Sequence, residues 1–294
     1  MPAVRADGSD DVAVGLLTML LAAGVALLAA GYGRGVHELW ARRGLGRILP
    51  AWRVAAFGTG LLCVLAAQDG PLAAAAERSF AGHMTQHMVL LLGAGPLLAA
   101  GAAGLPLTLA CPPTPRRWLA RLRAAGPMRW LRRPAVLAIT AGGIQAVVLW
   151  FWHLPAPYLA AEQQPVLHAA EHACFLGSAW LLWAPLLGAP RHRLPVPVAM
   201  LLLIGTMLPA SALGATLTFA PHPLYPVPVL GPDPLADQQL AGLLMWAPMD
   251  VAVLAATLTA FLRWLVGLQR LRPERVTCPE SRSTLPARTG RVVP

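Results

Sequence analysis

The sequence predicts an all-α membrane protein, a bundle of seven transmembrane helices with its N-terminus outside and its C-terminus in the cytoplasm. Three observations carry this expectation. Of 294 residues, 56% are hydrophobic and only 12% charged, against about a quarter charged in ordinary globular chains. Several apolar runs approach or exceed the ~20 residues that a helix needs to cross ~30 Å of hydrocarbon. The formal charge of +10 comes from arginine alone, because the chain has no lysine, and the arginines fall between the apolar runs. They read as topology signals rather than as a nucleic-acid surface.

The first 11 residues form a short outer segment. They hold Asp7, Asp10 and Asp11 against only Arg5, which argues against a cleavable signal peptide. The first span covers about 12–30 and is rich in glycine and alanine, which suit close helix contacts. A basic loop follows, with Arg34, Arg42, Arg43 and Arg47, and with Trp40 and Trp52 as interface anchors. The second span, 51–67, begins with Arg53, placed to snorkel to the headgroups. A loop over 68–82 carries Asp69, Glu77 and Arg78.

The third span starts near His83 and can run to 109. Pro96 and Pro106, with four glycines, predict a kink or break. It enters the most basic loop, which contains Arg116, Arg117, Arg121, Arg123, Arg129, Arg132 and Arg133. The fourth span, 134–152, ends in an aromatic belt followed by His153. An arginine-free loop, 154–165, leads to the fifth span, 166–187. Arg191 and Arg193 mark the next turn, the sixth span is 196–220, and a proline-rich loop, 221–239, carries Asp233 and Asp237. The seventh span, 240–266, contains Pro248 and Asp250. The basic, apolar-poor residues 267–294 read as a disordered cytoplasmic tail, so that 12–266 is the transmembrane domain.

With this alternation, every arginine except Arg5 and Arg78 falls on one side. The positive-inside rule makes that side cytoplasmic. His83, His87, His153, His168, His172 and His222 then map to the outer face, and only His37 and His192 to the inner one.

The outer histidines carry the chemistry. In Ser79-Phe80-Ala81-Gly82-His83-Met84-Thr85-Gln86-His87-Met88, the two histidines lie one helical turn apart on one face, and Met84 and Met88 on the neighbouring face. His168 and His172 repeat the spacing at the mouth of another span. An i, i+4 pair presents two imidazole nitrogens from one face, and two such helices can surround one ion. His153, at the same level, is a further ligand or an entry residue. A single interfacial histidine is more often an anchor, and four at two span mouths favour a shared metal site. Imidazole suits zinc, copper and iron, and the neighbouring thioethers of Met84, Met88 and Met245 tilt the choice toward copper. Methionine alone is more often core filler.

Glu171 completes a His-x-x-Glu-His pattern, the inverted zinc-peptidase motif. The chain has no soluble domain to form a substrate cleft, so the better roles for Glu171 are to orient an imidazole or to relay protons. Asp237 and the deeper Asp250 are accessory candidates. Two other functions compete: a haem-binding electron-transfer protein, with one histidine from each pair on the iron, and a metal-ion permease using Glu171 and Asp250. Cys63, Cys111, Cys174 and Cys278 have no paired spacing, which leaves disulfide and zinc-ribbon readings without support.

The run from His83 to Met88, the run Trp152-His153-Leu154-Pro155-Ala156-Pro157-Tyr158 leading to His168-Ala169-Ala170-Glu171-His172, and the run Asp237-Gln238-Gln239-Leu240-Ala241-Gly242-Leu243-Leu244-Met245-Trp246 together resemble the CtaG family of bacterial cytochrome c oxidase assembly factors, over roughly 80–264. Two departures are Gly95-Pro96, where two successive prolines are expected, and Ala247-Pro248-Met249-Asp250 in place of a glycine-rich continuation. The resemblance implies a multi-pass protein of the bacterial plasma membrane that is not itself an enzyme. It further implies a protein that handles copper on the outer side, with haem-copper oxidase subunits and other copper-handling proteins as partners.

Overall fold

A computed structural model describes residues 8–225 and 233–270. The expected cytoplasmic tail therefore lies almost wholly outside the described residues. Those residues are helical with no strand among them, in keeping with a chain whose backbone polar groups must be satisfied within each segment when lipid surrounds it.

Five helices are long and apolar enough to cross a membrane: α1 (Gly8–Arg43), α2 (Ala51–Gln68), α9 (Pro134–Trp152), α12 (Val196–Phe219) and α13 (Pro234–Arg270). A sixth candidate is a broken span. Between α2 and it lies the short α3 (Pro71–Ala76), and the span itself runs through α4 (Phe80–Met88), a π-helical stretch (Val89–Ala94) and α5 (Gly95–Ala100). A 64° bend then leads into α6 (Gly104–Ala110). Pro96 supplies no N–H for the Leu92 carbonyl and crowds it, and the helix widens into π turns immediately before it. The basic connection contains α7 (Pro113–Ala124) and α8 (Gly126–Leu131), and α10 (Pro155–Gln163) joins α9 to α11 (Pro165–Leu187). At 23 residues α11 is long enough to cross, but His168, Glu171 and His172 in its first turns lower its hydropathy below that of the six.

Several expected boundaries are corrected. The first helix continues through Arg34, His37 and Trp40 to Arg43: no proline interrupts 31–43, and Tyr32, Val36 and Leu39 bury one face against Phe57 and Leu61, which offsets the cost of Gly31, Gly33 and Gly35. The last helix begins at Pro234 and ends at Arg270, a turn or more beyond the apolar run at each end. The segments 68–82, 111–133 and 154–165, expected as loops, contain short helices, four of which carry a proline in the first turn, where its missing N–H costs nothing.

Arg53 is the clearest correction. Instead of reaching the headgroups it is 5% exposed. Its guanidinium donates to the carbonyl of Ala100 at 2.6 Å, to that of Leu187 at 3.3 Å and to that of Gly188 at 3.2 Å. These carbonyls end α5 and α11, where helix C-termini leave acceptors without intrahelical donors. Arg193 donates to Gly188 and Leu187 as well. Trp40, expected as an interface anchor, donates its indole N–H to the Leu49 carbonyl at 2.9 Å.

The helices pack α12 on α13, α13 on α4, α11 on α5 and α9, and α2 on α5 and the π-helical stretch. Two glycines permit close approaches of α4 and α5 to their neighbours. A Cβ at Gly82 would overlap the Ala75 carbonyl of α3, and one at Gly95 would come within 2.6 Å of the Ala179 Cβ on α11. The main core, including Phe80, Met84, Tyr158, Phe175, Tyr225 and Met245, is enclosed by α4, α9, α10, α11 and α13.

Arg53→Ala removes a charged donor from three helix-terminal carbonyls and lowers stability by about 2–3 kcal/mol. Arg42→Ala removes only an exposed i, i+4 pair with Glu38 and changes stability by less than about 0.5 kcal/mol. Thermal unfolding of the two variants side by side in one detergent measures the difference.

Candidate metal centre

Helix α4 starts where Ser79 caps it, its Oγ accepting from the Gly82 N–H at 3.0 Å. A second cap comes from across the bundle. The Asp237 carboxylate on α13 accepts from the backbone N–H of Phe80 at 2.8 Å and of Ala81 at 3.1 Å. A carboxylate at a helix N-terminus satisfies free donors and complements the helix dipole. Asp237 thereby fixes the first turn of the helix that presents His83 and His87. The Gln86 amide donates to the carbonyl of Ala67, tying the same helix to the end of α2.

The two histidine pairs meet. The His83 ring stacks on His168 with centroids 5.4 Å apart, and His87 lies edge-on to His172 at 5.2 Å. Within each pair the centroids are 4.4 and 4.3 Å apart. Glu171 sits beneath them, its oxygens 4.0 Å from His83 Nε2 and 3.6 Å from His87 Nε2. His83, His87 and Glu171 each offer one ligand atom within 4.8 Å of the others, and all three are buried. His168 and His172 flank this group. Imidazoles packed this closely leave no space for a macrocycle between the two pairs.

The remaining ring nitrogens show what the group can do. His83 Nδ1 donates to Glu162 Oε1 at 3.0 Å, which leaves Nε2 bare. The Gln68 amide lies 2.9 Å from His172 Nδ1. The amide nitrogen donates, so Nδ1 accepts and the proton of the neutral His172 ring is on Nε2. His83 Nε2, both nitrogens of His87, His168 Nε2, His172 Nε2 and both oxygens of Glu171 are buried without a hydrogen-bond partner. Buried polar groups are almost always paired, and a convergent set of unpaired ones calls for an unseen partner. Nitrogen and carboxylate donors with outer atoms held by carboxylate and amide form the donor set of a first-row metal ion.

Glu162 and Gln68 were missed in the sequence. Glu162 could have been found as an acid in the arginine-free connection between His153 and His168. Burial pushes its carboxyl up, but the hydrogen bond from His83 and the nearby His83 and His168 charges outweigh this and hold it below the usual range. Gln68 gives no such signal, since an amide at a span end is ordinary.

The other candidates fall into three places. His153 is buried beside the group, 6.2 Å from His87 between ring centroids, with Nε2 3.2 Å from Met84 Sδ. Met88 and Met245 are packed in the surrounding core. Asp250 lies 13 residues along α13 from Asp237, roughly 20 Å at helical rise, and accepts from Ser211 Oγ on α12. It does not join the cluster.

Residues 30–266 match the family described as cytochrome c oxidase caa3 assembly factor. No curated protein matches the chain, and no solved structure matches it.

Glu162→Gln keeps the shape of the residue that accepts from His83 Nδ1 but weakens the bond. Its affinity for a metal ion falls about 10- to 100-fold, with little change in thermal stability. Asp237→Ala lowers both, because it loosens the first turn of α4, at about 1 kcal/mol. Competitive metal titration and thermal unfolding of each purified variant separate the two patterns.

Proposed function

Because the chain belongs to the cytochrome c oxidase caa3 assembly factor family, we propose that it binds copper at the buried cluster of His83, His87 and Glu171, with His168, His172 and His153 around it, and holds the ion for insertion into a nascent haem-copper oxidase subunit. The single observation behind this reading is the convergence of unpartnered imidazole and carboxylate atoms in one buried place. An ionisable cluster in a bundle of apolar helices is costly unless it is paired or coordinated. A protein that stores such a cluster gains from it when the missing partner is its cargo.

The residues divide the work. Glu162 holds the outer nitrogen of His83 and so aims its inner one, and Gln68 fixes the His172 ring beside it. Asp237 holds the helix that carries His83 and His87. Glu171 supplies a carboxylate to the group itself, and its ionisation on metal binding would lower the net charge that a cation brings into a low-dielectric interior. A bound copper ion supplies no chemistry to a reaction here; it is the load. The family description points to a non-catalytic role, and the membrane-embedded oxidase is the natural acceptor.

The topology belongs to the same proposal. The six candidate spans and α11 make seven crossings, with the N-terminus outside and the C-terminus in the cytoplasm of a bacterial plasma membrane. The arginine distribution supports this orientation. It puts the metal cluster near the outer surface, the side from which a copper carrier outside the membrane would reach it.

His83→Ala and Glu171→Gln each lower copper uptake by the purified protein and reduce cytochrome c oxidase activity in membranes of a strain that depends on this protein. Unchanged uptake and unchanged activity in both variants would end the copper reading. The orientation is tested separately. In a background without the four native cysteines, His222→Cys reacts with a membrane-impermeant thiol reagent added to intact cells. Arg191→Cys reacts only after lysis.

A further inference from the structure

We infer that His153 and Met84 form a second, softer metal subsite beside the His83–His87–Glu171 group, suited to Cu(I) rather than to a divalent ion. The inference deepens the copper reading above by assigning the cluster two positions of different chemistry.

One proton decides the chemistry of this pair. His153 Nδ1 lies 2.7 Å from the Leu149 carbonyl oxygen, one helical turn back on α9. A carbonyl can only accept, so the ring proton is on Nδ1 and, in the neutral ring, Nε2 carries a lone pair. That lone pair points to Met84 Sδ at 3.2 Å, and a thioether sulfur has no proton to give. Two electron-pair donors therefore face each other in a fully enclosed place, with Met84 at 0% and His153 at 5% exposure. A soft cation between them converts this opposition into two bonds. At 3.2 Å apart, the two atoms are near enough for one ion to bind both, and a further ligand would complete its shell.

His87 is placed to be that ligand. Both of its ring nitrogens are buried and unpartnered, whereas one suffices for the group with Glu171. Its ring lies edge-on to His153, and Phe175 packs against both. His87 thus borders a nitrogen-and-oxygen group on one side and a nitrogen-and-sulfur pair on the other. Thioether ligands select Cu(I), and carboxylate with imidazole accepts divalent ions. The surroundings of the soft pair are apolar and aromatic, formed by Phe175, Leu149 and Trp152, which favours an ion of low charge.

The experiment uses the purified full-length protein, Cu(I) held in a competing chelator, Zn(II) as the divalent probe, and copper K-edge X-ray absorption as the structural readout. The wild type takes two Cu(I) and one Zn(II), and its copper spectrum contains a sulfur scatterer at ~2.3 Å. Met84→Leu keeps the volume and packing of the side chain. It loses the sulfur scatterer and one Cu(I), while Zn(II) binding and thermal stability stay at wild-type values. A wild-type copper spectrum without sulfur, or a Met84→Leu protein with unchanged Cu(I) stoichiometry, would each overturn the inference. Absence of Zn(II) binding together with sulfur-ligated Cu(I) would instead remove the His83–His87–Glu171 centre and leave the soft subsite standing.

Discussion

The structure depends on the cost of leaving several imidazoles and a carboxylate without partners in a low-dielectric interior. They are buried, and no described protein group completes their bonding. Charged or dipolar groups in such a place are stabilised only by pairing or coordination, and the described partners reach just the outer atoms of the group. The arrangement persists because each helix that contributes to it is fixed by interactions elsewhere. The site is in this sense a local deficit maintained by the rest of the fold.

Both ends of the bundle contribute to that maintenance by using the termini of helices. At the end that carries the site, Asp237 and Ser79 occupy the free N–H groups of α4, so the helix starts at one place and His83 and His87 face one way. At the other end, Arg53 and Arg193 occupy the free carbonyls of α11, and Arg53 those of α5 as well. Helix α11 carries Glu171 in its N-terminal half and is clamped at its C-terminus. A helix held there cannot slide along its axis without breaking charged hydrogen bonds. The same clamp therefore sets the depth of His168, Glu171 and His172 relative to α4.

The broken span contributes in another way. The π-helical turns ahead of Pro96 rotate α5 relative to α4, and Gly95 then lets α5 approach Ala179 on α11 closely. The histidines just upstream are brought toward α11 by a contact several turns away from them. The departure of Gly95-Pro96 from a double proline falls at this junction. Here a glycine is required by the approach of the neighbouring helix.

Much of this protein was legible in the sequence. Apolar run lengths, arginine placement and the i, i+4 spacing of both histidine pairs determined that it is a helical membrane protein with a polar cluster built on two helices, since these properties depend only on hydrophobic thickness and helical period. The matching runs around His83, His153, His168 and Asp237 pointed to the family. Where helices end was less legible: the first and last helices outrun their apolar stretches because tertiary packing and helix-compatible polar residues extend them. Arg53 looked like a headgroup residue because a sequence shows its charge but not the carbonyls of α5 and α11 that converge on it. Only the tertiary structure decided that Glu171 lies among the His83 and His87 nitrogens while Asp250 stays with Ser211, that Asp237 caps α4, and that Glu162 and Gln68 hold the outer imidazole nitrogens. Those roles rest on distances between residues far apart in the chain, and periodicity along one helix carries no information about which neighbour its face will meet.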